Sequence, residues 1–224
     1  MAPDWWKKPR KVTVIVDNPS WILPYAERLV ADLNAAGDQA VLARNHDEIA
    51  PGDVAFYLGC IKITPPDVLG RNRRNFIVHE SDLPTGRGFS PVTWSVISGE
   101  NTITMCLLEA VDEVDAGPII QKMSVTFEGH ELIDEIRDVV GENTVTLCKG
   151  FLEHDAPQDG AAQTGDATHL PRRYPKDSEL DPNIPISEQF DLLRVVDNER
   201  YPAFFRLRGK AYKLSISKID EGAK

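Results

Sequence analysis

The sequence has few cysteines and no cluster of metal-binding side chains. Only three cysteines occur among 224 residues, Cys60, Cys106 and Cys148, and they share no regular spacing. Zinc sites need grouped Cys or His residues, and disulfide frameworks need paired cysteines. We therefore expect three small buried thiols in a reducing compartment and no metal cofactor.

Long apolar runs and phosphate-binding glycine motifs are also missing. No stretch approaches the ~20 apolar residues that span a bilayer, and the amino terminus lacks the apolar segment of a signal peptide. Neither a Walker motif nor a dinucleotide-binding glycine motif occurs. These absences predict a soluble, cytoplasmic protein without a membrane partner. The charged segment 1–11 is expected to be a frayed tail before the first strand.

Positive charge is scarce. Lys and Arg number 25 against 35 Asp and Glu, which gives a net charge of −10. Proteins that hold a nucleic acid backbone concentrate basic side chains on one face. The two basic clusters here, 71–74 and 172–173, are short. The composition therefore argues against a nucleic acid partner and leaves room for a small anionic ligand bound by a few arginines.

Strand-like and helix-like segments alternate from the amino terminus. The first is the β-branched run 12–17, followed by an amphipathic helix over 21–36 with Ser20 as its N-cap. Further strands are predicted at 40–43, 54–58, 76–78, 102–111 and 119–127, and a long helix at 131–152. The alternation predicts an α/β fold: an open, mostly parallel, twisted Rossmann-like sheet with flanking helices.

The carboxyl-terminal third is predicted to be organised differently. Residues 1–153 form the predicted catalytic domain, and the polar, small-residue segment 154–171 is a linker or mobile loop. Residues 172–224 form a small α+β appendage, with a helix at 187–196 and strands at 203–207 and 211–219 joined by a tight turn. An edge strand of this hairpin would permit a homodimer.

The residues able to carry chemistry are concentrated in 76–121. His79 directly follows the fourth predicted strand, and the Pro/Gly-rich stretch 83–88 comes next. Asp115 begins a second glycine-containing turn. Ligands of open α/β sheets bind beyond the carboxyl ends of the strands. A histidine and a carboxylate on neighbouring loops are the usual pairing of a general base and the group that orients it.

The same segment carries a set of residues in one reading frame. They are His79, Ser81, Leu83-Pro84, Arg87-Gly88, Pro91 and Asp115-Ala116-Gly117. This pattern resembles the folate-dependent formyltransferases, a family that includes methionyl-tRNA, glycinamide ribonucleotide and nucleotide-sugar formyltransferases. The likeness extends more loosely over 12–152 and again over 172–219.

The resemblance implies 10-formyltetrahydrofolate as formyl donor and a primary amine as acceptor. It implies that His79 relays a proton, that Asp115 orients the imidazole, and that Ser81 belongs to the same catalytic group. The donor site would be the backbone around the pterin. Its residues are Leu58, Gly59, Cys60, Ile61, Ala116, Gly117 and Pro118.

The acceptor is expected to be a nucleotide-linked amino sugar. The tRNA enzymes of the family carry a larger, basic carboxyl-terminal domain, whereas this chain has only the short appendage. Substrate-binding residues are predicted at Asn18, Ser20, Trp21, Arg87, Asn198 and Tyr201. Two of them have an alternative interpretation: Trp21 as a core contact of its helix, and Arg87 as a structural clamp on its loop.

One position departs from the family pattern. The family places an asparagine, an oxyanion donor, two residues before the histidine, where this chain has Ile77. Either Ser81, Asn198 or a backbone N–H replaces that donor, or the reaction differs. The alternatives are a formyl hydrolase or other one-carbon transferase, and a folate- or ligand-binding protein without turnover.

Overall fold

The computed structural model describes residues 2–219, which form a six-stranded sheet flanked by helices. The strands are β1 Lys11–Ile15, β2 Gln39–Ala43, β3 Gly52–Tyr57, β4 Asn72–His79, β5 Arg87–Gly88, β6 Thr102–Glu109, β7 Ile119–Thr126, β8 His169–Leu170, β9 Glu179–Leu180, β10 Ala203–Leu207 and β11 Lys210–Leu214. The helices are α1 Leu23–Ala35, α2 Pro66–Leu69, α3 Pro91–Ile97, α4 Ile133–Glu153 and α5 Phe190–Arg194.

The main sheet has the strand order β2-β1-β3-β4-β6-β7. Strands β1 to β4 run parallel, whereas β6 is antiparallel to β4 and β7 is antiparallel to β6. The prediction of an open, mostly parallel α/β sheet is confirmed. The antiparallel direction of β6 was not predicted, and it determines how the site is assembled.

Alternate residues of the strands pack into cores on opposite faces of the sheet. Val14, Phe56 and Phe76 belong to the larger core, to which α1 and α4 contribute. Ile15 and Tyr57 belong to the smaller one on the other face. Because side chains alternate along a strand, this arrangement assigns every position of β4 to one of the two faces.

The amino-terminal segment is not the frayed tail that the sequence predicted. Trp6 is only 4% exposed, and its ring lies edge-on to Phe151 of α4 at 5.3 Å between centroids. The Trp6 indole N–H donates to the His154 carbonyl at 2.8 Å. Burying so large an aromatic surface outweighs the entropy of ordering a few polar residues.

Several predicted boundaries also shift. Helix α1 begins at Leu23 after the uncapped Ile22, so Ser20 is not its N-cap; Pro24 in the first turn supplies the helical φ instead. Ser187 lies in a separate 3₁₀ turn, Ile186–Glu188, ahead of the short α5. The last strand ends at Leu214 rather than at 219.

The segment 154–171 runs along the loops of the predicted site. Ala161 forms an antiparallel bridge with Ile119, and β8 pairs in parallel with β5. The Gly86 N–H donates to the Thr168 hydroxyl at 2.8 Å. The segment is therefore tied to the sheet and to the loop after His79, while the proposed division into domains stays a prediction.

The carboxyl-terminal residues form a small unit around the sheet β11-β10-β9 and helix α5. Arg194, with 0% exposure, joins it to the main sheet by hydrogen bonds to Asn101 and to the backbone and side chain of Glu131. Strand β11 lies at the edge of this small sheet. The homodimer expected from that edge stays a prediction.

The described residues also bear on the expectations drawn from composition. Cys106 and Cys148 are buried, Cys60 is half-buried, and all three thiols are free. Among residues 2–219, no helix combines the length and the apolar character needed to cross a bilayer. No group of three or more His, Cys, Asp or Glu side chains in that part of the chain is arranged to hold a metal ion.

Candidate active site

The site is built around the carboxyl end of β4. Phe76 and Val78 point into the larger core, so Ile77 and His79 point to the opposite face. His79 is the last residue of the strand, pairs with Cys106 of β6, and is 5% exposed. The strand therefore places the His79 imidazole at the point where the chain turns into the loop 80–90.

His79 and Asp115 lie side by side. The His79 Nδ1 is 3.6 Å from the Asp115 Oδ2, and both residues are buried. The His79 Nε2–H donates to the Gly86 carbonyl at 2.8 Å, and the Gly88 N–H donates to the Asp115 Oδ2 at 2.9 Å. Both ring nitrogens therefore face oxygen atoms, one from each loop, and the imidazole is held in one orientation.

Asp115 reaches His79 by an indirect route. Because β6 runs antiparallel to β4, its last residue, Glu109, pairs with Phe76 and not with His79. The loop 110–118 then brings Asp115 back to the imidazole, with Asp115 itself in the left-handed region at φ 53°. Gly117 packs closely against the end of β6. A Cβ on Gly117 would lie 1.9 Å from the Glu109 carbonyl oxygen.

Arg87 and Gln163 join the two loops. The Arg87 Nη1 donates to Glu113 at 2.6 Å, and its Nε and Nη2 donate to the Gln163 Oε1 at 3.3 and 2.9 Å. The Gln163 Nε2 donates to the backbone oxygens of Asp115 and Gly117 at 2.7 and 2.9 Å. Of the two interpretations of Arg87, the contacts are those of a loop clamp, because its guanidinium is engaged by protein groups.

The predicted donor segment 58–61 is held by Asp17 at the end of β1. The buried Asp17 carboxylate accepts hydrogen bonds from the backbone N–H groups of Ile61 and Lys62 at 2.9 Å each. Leu58 points into the core, while Gly59 is exposed with φ 57°. Burial raises the pKa of the Cys60 thiol to about 12, which makes it a poor nucleophile. Only backbone and the exposed Ile61 side chain are open to a ligand here.

The residues after β1 are arranged on the same edge. Asn18 donates from Nδ2 to the Gly59 carbonyl and to the Asp17 carboxylate, both at 2.8 Å. Ser20 is half-buried, and its Oγ lies 3.4 Å from the position that a Cβ on Gly59 would take. Trp21 is half-buried against the larger core, with its ring 6.2 Å from that of Tyr25. These residues adjoin the donor segment, and Trp21 is also a core contact.

Asn198 and Tyr201 lie in the carboxyl-terminal unit. The Asn198 amide pairs with both backbone groups of Ile216, at 2.8 and 3.1 Å. Tyr201 forms a backbone bridge with Asp197, and its carbonyl accepts from Ser178. These contacts order the loop before β10 and leave the Asn198 amide engaged. Asn198 is therefore a weak candidate for the missing oxyanion donor.

Ser81 is a stronger candidate. Its hydroxyl is buried and has no hydrogen-bond partner among the described residues. A buried hydroxyl without a partner is costly, so an unpaired one two residues after His79 suggests that a ligand supplies the partner. Ile77, at the family's asparagine position, packs instead against aliphatic side chains that include Leu83 and Leu108.

Comparison with known proteins identifies the family. The model of the formyl transferase family matches residues 19–146, which is more than half of the chain. The chain belongs to the formyl transferase family. The match includes His79, Ser81, Arg87 and Asp115, whereas Gln163, Asn198 and Tyr201 lie outside it.

A methionyl-tRNA formyltransferase of Bacteroides fragilis is 25% identical to the chain over 135 residues. That alignment covers 57% of this chain and 41% of the relative. The chain therefore spans less than half the length of the curated relatives it matches.

Solved structures share the fold. A methionyl-tRNA formyltransferase from Clostridium thermocellum has a TM-score of 0.75 at 20% identity, covering 95% of this chain and 94% of its own. A sugar N-formyltransferase from Shewanella has a TM-score of 0.67 at 15% identity, covering 94% and 99%. HypX from Aquifex aeolicus, solved with tetrahydrofolic acid, has a TM-score of 0.73 at 16% identity, covering 93% and 38%. At these identities the likeness is one of fold.

Glu80 is a titratable member of the site that the formyl transferase motif does not specify. It follows His79 directly and is half-buried. Burial raises the pKa of its carboxyl; the neighbouring His79 acts in the opposite direction, and Asp115 raises the pKa further. A carboxyl retained in such surroundings destabilises the folded state, which is typical of residues kept for function.

The Glu80→Gln variant is expected to be more stable than the wild type at neutral pH. The folded protein binds a proton that the unfolded chain has already released, so the wild type's free energy of unfolding falls as pH rises through the raised pKa. The variant has no carboxyl at this position, so its free energy of unfolding does not fall in this way. The difference in Tm should therefore shrink as pH falls toward the ordinary pKa of a glutamate.

The matched control is Glu27→Gln on α1, which removes the same charge from an exposed position. The Tm of this control should match that of the wild type at every pH. A Glu80→Gln variant less stable than the wild type at neutral pH would contradict the assignment, because the carboxylate would then be stabilised where it lies.

Three residues of the site were missed in the sequence: Asp17, Glu80 and Gln163. Asp17 was included in the first predicted strand, and its position at the strand's end was a usable signal. Glu80 lies at a variable position of the motif. Gln163 lies in a polar segment of low complexity, and nothing local distinguishes it from its neighbours.

Proposed function

We propose that this protein transfers a formyl group from 10-formyltetrahydrofolate to the amine of a nucleotide-linked amino sugar, in the cytoplasm. The observation that carries the proposal is the buried His79–Asp115 pair, 3.6 Å apart, within the segment matched to the formyl transferase family. A histidine oriented by a carboxylate is suited to proton transfer during acyl transfer.

The residues present are compatible with a folate donor. The exposed Gly59, with φ 57°, and the half-buried Ala116 offer backbone at close approach, which is how a flat ring such as a pterin is bound, whereas Gly117 is buried against Glu109. Asp17 holds the amides of the 58–62 segment in place. The tetrahydrofolic acid bound by HypX, a protein of the same fold, supports this choice of donor.

In the proposed reaction, the neutral amine of the acceptor attacks the formyl carbon. The bond between that carbon and N10 of the folate then breaks, and the proton lost by the amine passes through His79 to N10. Products are the formamide and tetrahydrofolate. The Asp115 carboxylate favours the imidazolium that forms on the way. The His79 Nε2 must exchange its bond to the Gly86 carbonyl for one to the substrate.

We assign the oxyanion contact to Ser81. Its buried hydroxyl has no partner among the described residues, and Ser81 lies two positions after His79, on the loop that follows β4. A hydroxyl that donates to the developing negative charge would take the role of the family's asparagine, whose position is occupied by Ile77 in this chain. Loss of one such donor costs about 10²–10³ in rate, so a substitute is needed for efficient transfer.

The choice of a small acceptor rests on charge. The net charge is −10, and basic residues form only short clusters, which disfavours a large polyanion. The sugar N-formyltransferase fold is matched over 99% of that chain and a methionyl-tRNA formyltransferase fold over 94% of that one, so coverage does not separate the two acceptor classes. The charge favours a nucleotide-linked amino sugar over a whole tRNA.

The test is incubation with 10-formyltetrahydrofolate and a panel of nucleotide-linked amino sugars, analysed by mass spectrometry. We expect one acceptor to gain the mass of one carbonyl group, with release of an equal amount of tetrahydrofolate. Formylation of methionyl-tRNA, and of no sugar in the panel, would overturn the proposed acceptor class while leaving the transfer chemistry intact.

Ile77 supports one second candidate. An aliphatic side chain at the family's donor position is compatible with a formyl hydrolase or another one-carbon transferase, in which water or a different nucleophile attacks. Release of formate and tetrahydrofolate without any heavier acceptor would indicate the hydrolase. Tight folate binding without turnover on any amine would indicate a binding protein.

A further inference from the structure

The Gln163 side chain forms hydrogen bonds to both loops of the site, although nothing in the surrounding sequence marks it as a site residue. Its Nε2 donates to the carbonyls of Asp115 and Gly117 at 2.7 and 2.9 Å, and its Oε1 accepts from two nitrogens of Arg87. Both donors and both acceptor positions of the amide are therefore used. The residue belongs to the segment 154–171, beyond the part of the chain matched to the family.

The two loops that Gln163 joins carry the histidine–carboxylate pair. Asp115 has a left-handed backbone, at φ 53°, and its carboxylate accepts from the Gly88 N–H at 2.9 Å. Such a backbone is strained for a residue other than glycine and persists only where surrounding contacts impose it. The carboxylate's place beside His79 therefore depends on how the turn 115–117 is held against 86–88.

Gln163 is itself fixed from both sides. Before it, Ala161 pairs with Ile119 through two backbone hydrogen bonds of 2.8 Å. After it, Thr168 accepts from the Gly86 N–H, and β8 pairs with β5. A side chain anchored in this way can hold its partners in place, whereas one on a free loop could not.

We propose that Gln163 is a positioning residue for formyl transfer, which fixes the Asp115 carboxylate beside His79 by bridging the turn 115–117 to Arg87. Gln163 acts through Asp115 and takes no part in bond making. The inference depends on the proposed function in those tests that measure activity, and it does not depend on it in the hydrogen-exchange test.

The first test is Gln163→Leu, which removes the hydrogen bonds and keeps most of the volume. We expect kcat to fall about 10–10²-fold, because small displacements of a catalytic group have effects of that size. The control is Gln158→Leu, in the same segment, whose exposed side chain bonds among residues 2–219 to His154 alone; it should keep wild-type kcat.

A double-mutant cycle with Asp115→Asn separates positioning from general damage. If Gln163 acts through Asp115, adding Gln163→Leu to Asp115→Asn should slow the enzyme little further. Multiplied losses in the double variant would overturn the inference, because they would indicate an effect independent of the carboxylate.

The last test needs no acceptor and therefore stays decisive if the proposed function fails. Hydrogen exchange of the Gly88 amide, followed by NMR, reports whether the Asp115 carboxylate is in place. Faster exchange at Gly88 in Gln163→Leu than in Gln158→Leu would support the inference. Unchanged protection at Gly88 would overturn it, whatever the protein formylates.

Discussion

Replacing His79 with alanine should slow formyl transfer by about 10²–10⁴-fold, the usual contribution of a positioned general base. The imidazole is the titratable side chain at the carboxyl end of β4 that faces Asp115. The measurement is kcat by tetrahydrofolate release, with Tm recorded in parallel because the residue is buried. Near-normal kcat would remove His79 from the chemistry.

His79→Gln sharpens this experiment. A glutamine amide can still donate to the Gly86 carbonyl, as the His79 Nε2 does at 2.8 Å, but it cannot take up a proton. We expect it to fold better than the alanine variant and to be equally slow. Recovery of activity would instead mean that His79 acts only as a hydrogen-bond donor. His130→Ala, at an exposed histidine, is the control and should retain wild-type rates.

Gly117→Ala should destabilise the protein by about 3 kcal/mol, at the upper end of the range for overpacking. A Cβ at this position would lie 1.9 Å from the Glu109 carbonyl oxygen, a backbone atom at the end of β6 that has little freedom to move. The turn itself must shift, and Asp115 shifts with it. We therefore also expect kcat to fall about 10²-fold, as a displacement near 1 Å can cause.

Gly150→Ala is the matched control for Gly117→Ala. Gly150 lies inside α4, where the nearest atom to a new Cβ is the Gln121 Oε1 at 3.9 Å. Alanine there should stabilise the helix by about 0.5–1 kcal/mol and leave kcat unchanged. The free energy of unfolding of Gly117→Ala is measured by denaturant titration. A value equal to that of the wild type would contradict the prediction, because it would mean that the turn can move away from the Glu109 carbonyl.

Much of the fold was predictable because the signals are local. The β-branched run of β1 and the apolar spacing of α4 reflect periods of two and 3.6 residues that do not depend on distant contacts. Boundaries were less accurate, since α1 begins at Leu23 for reasons of chain geometry that Ser20 does not reveal. Trp6 was misjudged because its burial depends on Phe151, which is far away in the sequence.

By itself the sequence determined the α/β class, and it predicted the end of β4 as the place of chemistry with His79, Ser81 and Asp115 as candidate residues, because strand ends and motif residues are encoded within a few positions. Only the tertiary structure decided that β6 runs antiparallel and that Asp115 returns to His79 along a left-handed turn. It also decided that Gln163 bridges the two loops. These features depend on hydrogen bonds between residues up to 76 positions apart, which no local pattern records.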